Sequence, residues 1–534
     1  MDRLPRELVE EIVLAFTHIT TKNDVLDKRL VCHDFNRILR PLGCRTLALD
    51  TTRLSKVSKY ARPRSDALQT IGHRCKALHI DMSVLRDDDE VDSLIRMLLD
   101  VPSLSYFLLA LRHHYAFSDR SFTEIDFYRA MTDILFYCRD IDRVRICLPF
   151  PITGVRCGAA TRVLANALKA LGQRPEEDSA TLKTLILEGV ADDTLCELWM
   201  NPSDVMNMQN MLSLVETLTV NIRRLGPQSF PASMFGAALW NMIYNAVNVR
   251  TLSLNSGSFL EPVDGKLHVT RPGDESHAQW QERRFPGPGT QLAPPKPTHL
   301  ELRYVALLPD DLLRIATAFG PHLEELHMNT VSIMTHQSVG HNTRSDMHLW
   351  VGLPNEDPGQ RLWMAMRFRA LMPKLRICRC SQLAYKLFLH AEDPICETFD
   401  RADPAGIGRP LSQRFVEVVM GLGQPRLPSG EPIFYYPHDP VFNNLAYTLS
   451  ERRGRIPISE HDYVAHKLAA FEAGSPHDPQ YSLDGQFRNC IDNSLRELDY
   501  LFDQVHEGLR SLKLLPGPEP EVPEPEVPEP EVTG

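Results

Sequence analysis

Apolar residues near the start of the chain recur at helical spacing. Leu8, Ile12 and Phe16 stand four apart with Val9 and Val13 beside them, which predicts a helix with one broad apolar stripe. Leu4-Pro5 marks its start, because proline suits a first turn whose N–H groups have no helical partner, and Glu7, Glu10 and Glu11 complement the positive end of the helix dipole. A second helical run extends from about Asp24 to Leu39, with Val25, Leu26, Leu30, Val31, Cys32, Phe35, Ile38 and Leu39 apolar, and Pro41 with Gly43 is expected to end it. Helices this short cannot bury their apolar faces on one another, so they are expected to dock against a neighbour.

Past residue 43 the pattern becomes apolar-x-x-apolar-x-apolar, the spacing of a strand whose alternate side chains enter a core. The copies are Cys44-x-x-Leu47-x-Leu49, Cys75-x-x-Leu78-x-Ile80, Ile141-x-x-Val144-x-Ile146, Leu182-x-x-Leu185-x-Leu187, Val215-x-x-Leu218-x-Val220, Val249-x-x-Leu252-x-Leu254, Leu323-x-x-Leu326-x-Met328 and Met372-x-x-Leu375-x-Ile377. Leu300-x-Leu302 lacks the first anchor. Helical runs such as Ala159 to Leu171 and Asp310 to Phe319 separate them at irregular intervals. The series resembles a degenerate leucine-rich repeat. The expected fold is therefore α/β: a small N-terminal helical domain over 1–43, an irregular leucine-rich-repeat-like solenoid over 44–390, a partly helical cap over 391–515 and a disordered tail over 516–534.

In such a solenoid the side chains between the anchors face outward on the concave side. His79, Arg145, Thr219, Ser253, His327 and Arg376 are thereby expected to contact a target, with Asp50, Asp81, Glu188, Asn221, Asn255 and Asn329 just beyond. Residues 255–298 and 336–361, around Trp350, carry little periodicity and are expected to be loops, either functional or disordered. In the cap, Ile491, Leu495, Leu498, Phe502, Val505, Leu509 and Leu512 trace a heptad seam on a helix near 487–513, which either packs back on the body or takes a coiled-coil partner. The Pro-Glu-Pro-Glu-Val repeats of the tail cannot form a packed core and read as an extended brush, either partner-binding or without a role.

The N-terminal residues resemble a known family. Leu4-Pro5-x-Glu7-Leu8-x-x-x-Ile12, Leu30-Val31-Cys32-x-x-Phe35-x-x-Ile38 and Pro41-Leu42 look like the F-box, and their pairing with a repeat body resembles fungal F-box proteins. The resemblance implies a helical hook for the adaptor subunit of an SCF-type cullin ligase, with Leu4, Pro5, Leu8, Ile12, Leu30, Val31 and Phe35 as the adaptor-binding side chains. It implies a non-catalytic substrate-recognition subunit of a ubiquitin ligase, whose body binds a protein target. A protein-interaction scaffold that promotes no degradation is the alternative.

Composition narrows the remaining classes. The net charge is −11, but six glutamates of the tail carry much of it, so the body is nearly balanced. Without a concentrated basic face, a nucleic-acid partner is not expected. No stretch reaches the ~20 apolar residues of a membrane span, and the N-terminus does not read as a secretory signal. Eleven scattered cysteines suit a reducing compartment, so an intracellular location, cytoplasmic or nuclear, is expected.

No GxSxG elbow, phosphate loop or HExxH pair occurs. Gly406-x-Gly408 and Gly421-x-Gly423 read as turns, and Cys378-x-Cys380 near His390 reads as ordinary thiols. No cofactor and no metal are expected. His113-His114 read as ordinary histidines, and Asp87-Asp88-Asp89-Glu90 as a solvated helix start.

Overall fold

A strand with an apolar flank needs a cover, and the crossover helices that parallel pairing requires supply it. The computed structural model describes residues 5–19, 27–51, 54, 65–118, 122–152, 158–174, 179–223, 232–256, 293–337, 364–381, 383–389, 393–398, 411–421, 463–465 and 486–513. The strands of its large sheet follow chain order: β1 (Thr46–Asp50), β2 (Ala77–Asp81), β3 (Arg143–Cys147), β4 (Thr184–Ala191), β5 (Thr217–Arg223), β6 (Thr251–Asn255), β7 (His299–Arg303), β9 (Glu325–Asn329), β11 (Ile377–Ser381) and β14 (Tyr463–Ala465). All ten are parallel. A second, four-stranded sheet holds β8 (Ala306–Leu307), β10 (Ser332–Gln337) and β12 (Ala384–Leu389) in parallel, with β13 (Asp393–Thr398) antiparallel on its edge.

The helices are α1 (Arg6–Ile19), α2 (His33–Gly43), α3 (Ser65–Ile71), α4 (Asp88–Leu98), α5 (Ser105–Ala110), α6 (Glu124–Tyr137), α7 (Gly158–Gly172), α8 (Asp192–Met200), α9 (Pro202–Leu212), α10 (Ala232–Asn245), α11 (Pro309–Phe319), α12 (Met364–Leu371), α13 (Leu411–Met420) and α14 (Gln486–Ser511). Several start on local signals. Asp87 caps α4 by accepting from the Glu90 N–H at 2.7 Å, and Thr123 with Asp126 forms a capping box on α6. The core lies between one face of the sheet and these helices, where Leu78, Ile80, Val144 and Ile146 share a cluster with Met131, Ile134, Val163 and Leu168.

This architecture corrects the expected leucine-rich-repeat-like solenoid over 44–390. The body is built on a continuous ten-stranded parallel sheet with helices interleaved, an open α/β fold, with the smaller four-stranded sheet beside it in sequence. The expected concave surface would display alternate strand positions to solvent, yet every residue of β2 is buried, and His79, Arg145, Thr219, Ser253 and His327 are at most 4% exposed. The triplet misleads because any parallel strand packed on a helical layer satisfies it.

The last triplet is also displaced. Cys378 pairs with Leu326 and Cys380 with Met328, so the anchors are Leu375, Cys378 and Cys380, three residues beyond the expected set. Arg376 consequently precedes β11, where its N–H donates to the Glu324 carbonyl at 2.7 Å. It belongs to a row at the strand entrances, Arg45, Lys76, Asp142, Lys183, Glu216 and onward, whose backbone ladder runs one residue ahead of each strand.

The expected helical run from about Asp24 to Leu39 is broken by a turn over 29–30, so α2 begins only at His33, and it runs through Pro41 to Gly43. Pro41 lies in its last turn, where its missing N–H removes one i→i−4 bond shortly before the helix ends. Helix α14 packs back on the body, but beside β1 and β2 rather than at the far end of the sheet. Leu498, Leu501, Phe502 and Val505 enter a cluster with Leu94, Leu98, Leu104 and Phe107, and Phe150 stacks on Phe502 at 5.7 Å. The tail over 516–534, Trp350, the proline-rich stretch over 432–440 and most of both expected loops lie outside the described residues. No described helix is long and apolar enough to cross a membrane.

Two predictions follow from α14. A Cβ on Gly508 would stand 2.5 Å from Leu98 Cδ2 and 2.7 Å from Leu104 Cδ1. Gly508→Leu is therefore expected to lower the thermal midpoint, although leucine exceeds glycine in helix propensity by about 0.8 kcal/mol. Glu497 is pushed above its ordinary 4.5 by burial, with repulsion from Asp50 and Asp81 added. A raised folded pKa contributes stability in full below 4.5 and loses it as pH rises. Glu497→Gln should raise the thermal midpoint at pH 7, with the gain vanishing as pH falls to about 4.

Candidate functional site

Two surfaces carry the residues singled out by sequence. In the first, α1 and α2 close on Val13 and Leu39, both buried, with Val9, Phe35 and Ile38 packed around them. Arg37 Nη2 donates to Glu10 Oε1 at 2.9 Å across the pair. That ion pair is half-exposed, so the apolar contact dominates. Among the described side chains, four apolar ones point outward: Leu8 is 45% exposed, Ile12 48%, Leu30 76% and Val31 65%. Leu8 and Ile12 share one stripe of α1, while Leu30 and Val31 sit on the turn before α2, held by N–H bonds to the Asp27 and Lys28 carbonyls at 3.1 Å. Pro5 is exposed and Phe35 half-buried; Leu4 lies outside the described residues.

The second surface is the sheet face opposite the helical layer. Registers align His79, Arg145, Ile186, Thr219, Ser253, Glu301, His327 and Arg379 across adjacent strands. Sequence placed His79, Arg145, Thr219, Ser253 and His327 in one row, and the registers agree. Their burial contradicts the expectation that this row meets a target. Arg376 lies outside the row, its place taken by Arg379.

Buried polar groups need partners, and many on this face find them in one another, although Thr219 Oγ1 and Asn221 Nδ2 are buried without a hydrogen-bond partner among the described residues. Arg145 Nη2 lies 2.5 Å from Glu188 Oε1, both buried. Cys147 Sγ lies 3.5 Å from Glu188 Oε2 and 3.4 Å from His79 Nε2. Gly189, at φ +72°, follows Glu188 where the register with β5 shifts, a bulge that only a residue at ease in left-handed backbone allows. Burial pushes both the Glu188 carboxyl and the Cys147 thiol up, the first against the pull of Arg145 and the second with help from the Glu188 charge.

Farther along, Ser253 Oγ donates to Glu301 Oε2 at 3.0 Å and Arg303 pairs with Glu301. His299 Nδ1 and His327 Nε2 lie 3.2 and 3.5 Å from Glu325 Oε2. Burial lowers His327 to about 4, so its ring is neutral near pH 7. Burial alone would raise Glu325, but hydrogen bonds from His299 and His327 outweigh it and hold the carboxyl well below the usual range. Two groups here bring metal-ligating types together, His79 with Asp81 and Cys147, and His299 with Glu325 and His327. Cys378 and Cys380 face the core 4.0 Å apart, and His390 lies outside the described residues.

Sequence reading missed His299, Glu301, Glu325 and Cys147. Glu301 was within reach, since Leu300-x-Leu302 brackets it as Leu78-x-Ile80 brackets His79. His299 and Glu325 precede the first core residue of their strands and meet through cross-strand pairing that no local pattern states. No protein-family model matches the chain, and no curated protein does. The F-box resemblance therefore rests on the residues themselves.

Removing one partner of a buried ion pair strands the other charge. Arg145→Met is expected to cost about 3–5 kcal/mol in urea unfolding, while Arg145→Met with Glu188→Leu recovers most of that loss. An additive double variant would show that the two side chains do not act as a pair.

Proposed function

We propose that the chain is the substrate-recognition subunit of an SCF-type cullin E3 ubiquitin ligase, with the F-box-like helices docking to the adaptor and the body binding a protein target. The observation that carries this reading is the outward display of Leu8, Ile12, Leu30 and Val31 on a helix pair whose own core is Val13 and Leu39. An adaptor groove lined with apolar side chains would cover them. Burying each contributes about 1.5–3 kcal/mol at most, enough for a few anchors to dominate the interface. The Leu4-Pro5, Leu30-Val31-Cys32 and Phe35 motifs supply the family likeness, and Pro5 opens α1 on the exposed side.

Under this reading the ligase partners supply the ubiquitin-transfer chemistry, and this chain supplies selectivity. The buried sheet face holds the fold together, so the target meets other surfaces of the body. Leu8→Lys with Leu30→Lys is expected to abolish capture of the adaptor in a pull-down while leaving the circular dichroism spectrum unchanged, because both positions are exposed. Undiminished capture would remove the adaptor assignment. Deleting residues 1–43 is expected to lengthen the lifetime of proteins that co-purify with the body. Unchanged lifetimes with retained binding would instead favour a scaffold without a degradative role.

A further inference from the structure

Glu325 sits between two imidazoles. One ligand-capable atom from each of His299, Glu325 and His327 lies within 4.8 Å of the other two, and the ring centroids are 4.7 Å apart. Zinc holds imidazole nitrogen and carboxylate oxygen at about 2.0–2.2 Å, which sets neighbouring ligands of a tetrahedral ion about 3.3–3.5 Å apart. The 3.2 and 3.5 Å separations from Glu325 Oε2 therefore serve equally as hydrogen bonds or as edges of a coordination polyhedron. Backbone pairing fixes the arrangement. His299 and Glu325 are direct partners on β7 and β9, and His327 follows two residues later on the same face. Ligands carried by paired strands are held more accurately than ligands carried by loops.

We propose that His299, Glu325 and His327 bind a divalent first-row transition ion of the zinc type. Two imidazoles and one carboxylate form the nitrogen and oxygen donor set such ions take, whereas calcium and magnesium favour oxygen alone. On binding, His299 Nδ1 and His327 Nε2 turn lone pairs to the ion, and each ring carries its proton on the other nitrogen. Three protein ligands leave a fourth position for water or a small anion. Glu301, in register with His327 on β7, adds negative charge that it shares with Arg303. Arg379, in register on β11, is a cation that opposes the ion. The ion would tie β7 to β9, the seventh and eighth strands of the sheet. The cluster of His79, Asp81 and Cys147 has the buried Arg145 guanidinium beside it, which disfavours a second positive charge, and it serves as the internal comparison.

The test uses the full chain after chelator treatment, titrated with zinc by calorimetry and with cobalt(II) as a spectroscopic probe. One equivalent of zinc is expected to bind saturably. The cobalt spectrum should show visible d–d bands without a thiolate charge-transfer band. Glu325→Gln, which keeps the side chain's shape, and His327→Gln are each expected to weaken binding at least tenfold, and Cys147→Ser to leave it unchanged. X-ray absorption of the zinc-loaded wild-type chain should count two imidazoles and no sulfur, a readout that needs no variant to fold. No saturable binding by the folded chain, undiminished binding by the Glu325→Gln variant, or a thiolate band lost with Cys147→Ser would each overturn the assignment.

Discussion

Strands that hide one flank against helices must place their remaining side chains on the opposite face, and that face is buried here as well. A polar side chain without water needs a protein partner, or it costs more than the fold can spare. The rest of the body depends on meeting that demand. Arg145 meets Glu188, Ser253 and Arg303 meet Glu301, and His299 and His327 meet Glu325. The contacts between neighbouring strands, Arg145 with Glu188, Ser253 with Glu301 and His299 with Glu325, reinforce the register that the backbone ladder sets. The bulge at Gly189 interrupts that ladder beside Glu188 and locally changes the register between β4 and β5.

The N-terminal helices solve the opposite problem. Among the described residues the pair buries Val13 and Leu39 with Val9, Phe35 and Ile38 around them, and a cluster of that size cannot offset the ordering of its own chain without further burial. Its apolar surplus faces solvent, whereas the body turns even its charged groups inward. Helix α14 links distant parts of the chain by a third route, laying its heptad seam over α4 and α5 beside the first two strands. Contacts of such sequence separation form late and slowly in folding.

Legibility in the sequence divided along the range of the signal. Periodicity in α1 named the face that carries Leu8 and Ile12, and alternation placed β1 to β7 and β9, because both patterns repeat within a few residues; β8, β10, β12, β13 and β14 were not foreseen. The last expected triplet, at β11, was misplaced by three residues because Met372 and Ile377 mimic the anchors that Cys378 and Cys380 provide. The α14 seam was visible from Ile491 to Leu512, yet its docking site beside β1 and β2 was not.

The sequence by itself determined the apolar flank of α1, of the main-sheet strands up to β9 and the seam of α14, since those properties follow from side-chain type and local spacing. Only the tertiary structure decided that both faces of the sheet are covered, which turned an expected binding row into a buried one. It alone brought His299 to Glu325 and Cys147 to Glu188, because these meetings rest on strand pairing between segments far apart in the chain. Burial is a property of what packs on top, and no run of residues states what its neighbours in space will be.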